Sequence, residues 1–78
     1  MRKRNTLNAA TLEQVYTFIC RHWQQFGYGP SMREIAESCF ISRPNVYRYL
    51  DRLEMQGRIV RDAGTARSIT VVRDDDTE

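Results

Sequence analysis

The chain is poor in the residues on which covalent scaffolds and catalysis depend. Its 78 residues include one histidine, two cysteines and a single lysine. Cys20 and Cys39 are too few for a disulfide framework, and with His22 they fall one ligand short of a four-ligand zinc site. The expectation is two buried, reduced thiols, no metal and no cofactor. Glycine and proline together number six, too few for a fibrous or low-complexity chain. No apolar run approaches the roughly 20 residues that span a bilayer. The opening MRKRN leads into Thr, Leu, Asn and Ala rather than an apolar signal core, so a cytoplasmic protein with no membrane partner is expected. The length allows one small domain, since domains run from about 50 to 250 residues.

Catalytic constellations are missing as well. A nucleophile needs a neighbouring base. The only histidine lies in an aromatic-rich helix near Trp23 with no strained glycine elbow in the chain, and it reads as a surface residue. A serine–lysine pair would need Lys3, in a basic and flexible N-terminus. The GYGP turn lacks the lysine and helix context of a phosphate loop. The chain is not expected to be an enzyme.

What the sequence does have is arginine, eleven of them. The formal charge of +2 hides an asymmetry, because Asp74, Asp75, Asp76 and Glu78 hold four of the ten acids. Residues 1–73 set all twelve cations against the other six acids. Arginine's planar fork suits phosphate and guanine edges, so an anionic polymer is a plausible partner. A solvated basic surface would have the same composition, and position has to decide.

Leu12, Val15, Tyr16, Ile19, Trp23 and Phe26 recur at helical spacing and predict a first helix over 9–26, packed on the core through that stripe. Asn8 or Thr11 can cap it, and Gly27 supplies a left-handed end. Ser31-Met32-Arg33-Glu34 has the form of a capping box and opens a helix of about two turns, with Ile35, Ala36 and Cys39 as its apolar face. Ser42 begins a third helix, with Pro44 in the first turn, running to about residue 56 before Gly57. Val46, Tyr49, Leu50 and Leu53 form its apolar seam. Arg48, Asp51 and Arg52 point the other way, with Asn45 and Tyr47 on the flanks. Two β-rich runs, 58–62 and 67–72, read as a hairpin in which Ile59, Ile69 and Val71 close the core and Arg58, Arg61 and Arg67 line the exposed side. The organisation is a basic N-terminus at 1–8, a domain at 9–72 and an acidic, frayed tail at 73–78.

A short capped helix, a tight break and a second capped helix that presents Arg43, Asn45, Tyr47 and Arg48 on its first turns is helix-turn-helix spacing. Three tracts carry a resemblance: Phe26-Gly27-Tyr28-Gly29-Pro30-Ser31-Met32-Arg33-Glu34-Ile35-Ala36, then Pro44-Asn45-Val46, then Leu50-Asp51-Arg52-Leu53-Glu54-Met55-Gln56-Gly57. Over roughly residues 12–72 the chain resembles the DNA-binding domain of LexA-type repressors. That resemblance implies a mainly α fold with a small β-hairpin: a winged helix-turn-helix of three helices plus a two-stranded wing. Three departures stand out. The chain is one residue shorter between Ile35 and Leu50, and it has Cys39-Phe40 where relatives usually have leucine and glycine. No serine–lysine peptidase portion or cleavage site follows, so self-cleavage is not expected.

The resemblance implies a sequence-specific, double-stranded DNA-binding transcriptional regulator, a repressor by family, whose third helix enters the major groove while wing and helix N-termini grip phosphate. Arg48 is the first candidate for a bidentate guanine contact and Arg43 the second. Asn45 suits adenine, and Tyr47 a thymine methyl or a phosphate. Ser31, Arg33, Ser42, Arg52, Thr65 and Arg67 are the candidate phosphate contacts. Tyr49 belongs to the edge of the core. A single module presents a small interface, so a homodimer on an inverted repeat or a protein partner would supply avidity. The rival reading is a winged-helix protein-interaction module working through Tyr28, Phe40, Tyr47 and Met55.

Overall fold

Each helix begins where a side chain replaces the missing backbone acceptors of its first turn. Asn8 Oδ1 accepts from the amides of Ala10 and Thr11 and starts α1, Ala9–Phe26. Ser31 Oγ accepts from the Glu34 amide while Glu34 Oε1 accepts from the Ser31 amide, and this closed box starts α2, Met32–Cys39. Ser42 Oγ accepts from the Asn45 amide at the head of α3, Arg43–Met55. In a computed structural model that describes residues 7–61 and 69–72, these helices are followed by β1, Ile59–Arg61, and β2, Ile69–Val71. The tip of the expected wing, with Thr65 and Arg67, and the acidic tail lie outside the described residues.

The helix ends follow one rule. A left-handed residue turns the chain so that trailing amides bond back to the last carbonyls. Gly27 (φ 81) and Gly57 (φ 77) do this after α1 and α3, and Phe40 (φ 58) does it after α2. After α3 the Gly57 amide reaches Glu54 O and the Arg58 amide reaches Leu53 O, both at 3.0 Å. After α2 the Ile41 amide reaches Ala36 O at 3.1 Å.

The strands pair antiparallel with Ile59 opposite Val71, Val60 opposite Thr70 and Arg61 opposite Ile69. This register turns Ile59 and Ile69 inward, where both are buried, while Val60 and Thr70 are exposed. The ladder is shorter than the expected 58–62 and 67–72, though the Val72 amide still bonds to Arg58 O at 3.0 Å. The core joins Leu12, Val15 and Ile19 of α1, Ile35 and Cys39 of α2, Val46, Tyr49, Leu50 and Leu53 of α3, and Ile59 and Ile69 of the sheet. Among the described residues no helix is long and apolar enough to cross a membrane.

Three expectations need correction here. His22 was expected at the surface and is buried at 8% exposure. It stands three residues beyond Ile19 and seven beyond Val15, on the same face of α1. Its Nδ1 lies 2.8 Å from the Tyr28 carbonyl oxygen, which can only accept, so Nδ1 carries the proton. Phe26, expected in the core stripe, is half-exposed at the last position of α1. There it stacks on Tyr28, with ring centroids 5.8 Å apart, and meets the His22 ring at 4.6 Å. Of the two thiols, both free, Cys39 is buried and Cys20 only partly so. Burial pushes the Cys39 thiol pKa up, away from the reactive thiolate.

Candidate nucleic-acid interface

The exposed face of α3 begins at its cap. Arg43, Asn45, Tyr47 and Arg48 are all exposed, and the helix period sorts them into two rows. Asn45, Arg48 and Arg52 follow one another at spacings of three and four. Arg43 and Tyr47 lie one turn apart on the other flank, continued by Asp51 and Glu54. The structure therefore brings the four candidate base contacts onto one end of one helix, opposite its buried seam.

The arginines fall into two groups. Arg58 makes two bonds to the Glu13 carboxylate, at 2.8 and 2.7 Å, a third to Gln56 at 3.0 Å, and sits 4.0 Å over the Tyr16 ring. Arg61 reaches both Asp51 and Glu54. Sequence patterning placed Arg58 and Arg61 on the exposed side of the hairpin. They are instead tied to α1 and α3 and partly covered, because acids at Glu13, Asp51 and Glu54 face the sheet. By contrast Arg43, Arg48 and Arg52 form no ion pair among the described residues. Among the described residues the exposed arginines without an ion pair are these three on α3 and Arg21 on α1.

The ion pairs leave electrostatic traces. Hydrogen bonding to Arg58 holds the Glu13 carboxyl below its usual range. Burial alone would lower the Arg61 pKa, but its bonds to Glu54 and Asp51 outweigh that and raise it. Both guanidinium groups stay charged.

Of the candidate phosphate contacts, Ser31 and Ser42 stand at helix starts, where their oxygens cap their own helices. Each hydroxyl still has a proton to donate outward. Arg33 is exposed and leans on Glu37, one turn along α2, at 3.4 Å. Arg52 is exposed beside the Asn45–Arg48 row. Tyr49 is buried at 7% exposure, and its hydroxyl accepts from the Asn8 amide at 3.2 Å. Phe40 is 89% exposed and Met55 81%.

Sequence reasoning missed the Arg61 fork. The signal was there in Asp51 and Glu54, two acids three apart on an otherwise cationic helix, which call for a cation from another element.

Comparison with known proteins agrees with this geometry. The family model described as the LexA DNA binding domain matches residues 7–68. The LexA repressor of Clostridium kluyveri is 43% identical over 60 residues, covering 76% of this chain and 30% of that protein. Those of Koribacter versatilis and an Exiguobacterium species are 39% and 40% identical over 61 and 68 residues, covering 77% and 86% of this chain and 29% and 33% of theirs. The chain thus spans about a third of the length of the curated relatives it matches. With a family match over most of its length and the helix-turn-helix and paired strands in place, this chain belongs to the LexA DNA-binding domain family.

Proposed function

We propose that the chain binds double-stranded DNA sequence-specifically and acts as a transcriptional repressor, with α3 in the major groove. The observation that carries this reading is the row Asn45–Arg48–Arg52, exposed and free of carboxylate partners among the described residues, at the head of a capped helix. In this reading Arg48 pairs with a guanine, Asn45 with an adenine, and Arg43 and Tyr47 meet bases or phosphate on the other flank. Ser31, Arg33, Ser42, Arg52, Thr65 and Arg67 hold the backbone. Two copies pair on an inverted repeat, which raises the affinity of a small interface.

The test is selection of bound sequences from a random duplex library by the purified chain at near-physiological salt. An enriched motif supports the reading, and two half-sites at fixed spacing support pairing on DNA. The exposure of Phe40 and Met55 favours a second reading, a protein-interaction module. Absence of any enrichment, with the chain folded, would favour that module.

A further inference from the structure

Asp51 and Glu54 sit on a helix whose other exposed charges are all cationic. Asp51 stands three residues beyond Arg48, on neighbouring positions of the helix surface. Duplex DNA carries one negative charge per roughly 1.7 Å of axis, so two uncompensated carboxylates beside the recognition row would oppose its approach. Asp51 would also draw Arg48 down into an intrahelical pair and away from a base edge.

Arg61 prevents both. It is the last residue of β1, and its Nε donates to Glu54 Oε1 at 3.1 Å. Its Nη2 donates to the same oxygen at 2.9 Å and to Asp51 Oδ1 at 2.5 Å. One planar guanidinium thus serves both acids, a geometry that a point-charge ammonium does not reproduce. Arg61 itself has a side chain only 22% exposed, whereas Asp51 is 63% exposed. The cation is the covered partner and the acid the outward one. The chain passes from α3 to β1 through Gln56, Gly57 and Arg58 alone. The burial of Ile59 and Ile69 and the Trp23–Ile69 hydrogen bond seat the sheet on the core and α1, and this fork ties β1 directly to α3.

We propose that Arg61 is a positioning residue of the DNA interface: it fixes the first wing strand to α3 and cancels Asp51 and Glu54, leaving Arg48 and Arg52 without acidic competitors. This rests on the reading of the chain as a DNA-binding domain. A role in fold stability alone would leave duplex affinity unchanged in a folded variant, so thermal unfolding is measured beside affinity.

The experiment measures affinity of the 78-residue chain for a mixed-sequence duplex across a salt series, alongside thermal unfolding. Four proteins are compared with wild type: Arg61→Gln, the triple variant Asp51→Asn/Glu54→Gln/Arg61→Gln, Arg58→Gln, and Arg61→Lys. Arg61→Gln is expected to bind about tenfold more weakly at low salt, with a salt slope reduced by about one and a melting temperature near that of wild type. The triple variant is expected to recover wild-type affinity or better. Arg58→Gln likewise removes one cation tied to an acid, but that acid is Glu13 on α1, so its loss is expected to stay within about threefold. Arg61→Lys is expected to fall between wild type and Arg61→Gln. Arg61→Gln binding as well as wild type, a triple variant as weak as Arg61→Gln, or an equal loss in Arg58→Gln would overturn the proposal. A wild-type chain that binds no duplex at all would overturn the DNA-binding reading and this proposal with it.

Discussion

The indole Nε1–H of Trp23 donates to the carbonyl oxygen of Ile69 at 2.9 Å, and that same carbonyl lies against Gly29 so closely that a β-carbon has no room there. One peptide group of β2 thus seats the sheet on both α1 and the turn that follows it. Trp23→Phe is expected to lose about 1 kcal/mol in urea unfolding, the net value of one hydrogen bond. Gly29→Ala is expected to lose about 1 to 3 kcal/mol, because the backbone of β2 must shift to admit the methyl group. A Gly29→Ala protein as stable as wild type would mean that β2 does not seat on this turn.

Phe40 occupies a left-handed backbone conformation with its ring in solvent, so it bears the steric cost of that conformation without packing gain. Phe40→Gly is expected to raise stability by about 0.5 to 1 kcal/mol, after allowing for the greater freedom glycine has in the unfolded chain. The midpoint of urea unfolding should rise with an unchanged slope.

Tyr49 divides structure from recognition. Its hydroxyl accepts from the Asn8 amide and caps nothing on the DNA side. Tyr49→Phe is expected to cost about 1 kcal/mol of stability and to leave duplex affinity within about twofold of wild type. A large drop in affinity at full stability would move Tyr49 into the interface.

Glu13 gives the acid limb of the stability profile. Its pKa is lower in the folded chain, through its bonds to Arg58. Its contribution is therefore present above the unfolded glutamate pKa of about 4.3 and is lost as pH falls through the folded value. Glu13→Gln should shrink the fall in melting temperature on going from about pH 5 to pH 3. Its profile running parallel to wild type over that window would show that the pair with Arg58 is not held in solution.

Arg48→Ala is expected to flatten base preference, at about 1 to 3 kcal/mol of lost discrimination at one position. Arg52→Ala and Arg67→Ala should weaken all duplexes alike and lower the salt slope by about one. Equal, sequence-independent losses in all three would remove Arg48 from its role in base reading.

Local rules made most of this fold legible. Caps at Asn8, Ser31 and Ser42, the left-handed Gly27 and Gly57, and the apolar seam of α3 are each decided within four residues, so the helix limits could be read directly. For His22, residue type points to the surface and position to the core, and position prevails. Its spacing from Val15 and Ile19 already put it on the buried face, and the Tyr28 carbonyl supplies the partner that burial requires. Arg58 and Arg61 were legible as wing residues but not as clamps, since Glu13 lies 45 residues from Arg58 and Asp51 ten from Arg61. Pairings of that kind depend on how elements dock, which spacing alone does not contain. The candidate base-reading residues could be placed on one helix from the sequence, while the clearing of acids from beside them became visible only with the sheet in place.

The side chains of Arg43, Asn45, Tyr47 and Arg48 at the head of α3 lie outside the buried core of the domain. The side chains of Arg43, Tyr47 and Arg48 make no hydrogen bond or ion pair among the described residues, and Asn45 serves its helix through its backbone amide. The scaffold is built by the serine caps and by the seam beneath. On the proposed reading, in which these four positions meet the bases, mutational drift there re-specifies the preferred operator without passing through unfolded intermediates, and a lineage carrying this domain acquires new target sites on an unchanged frame.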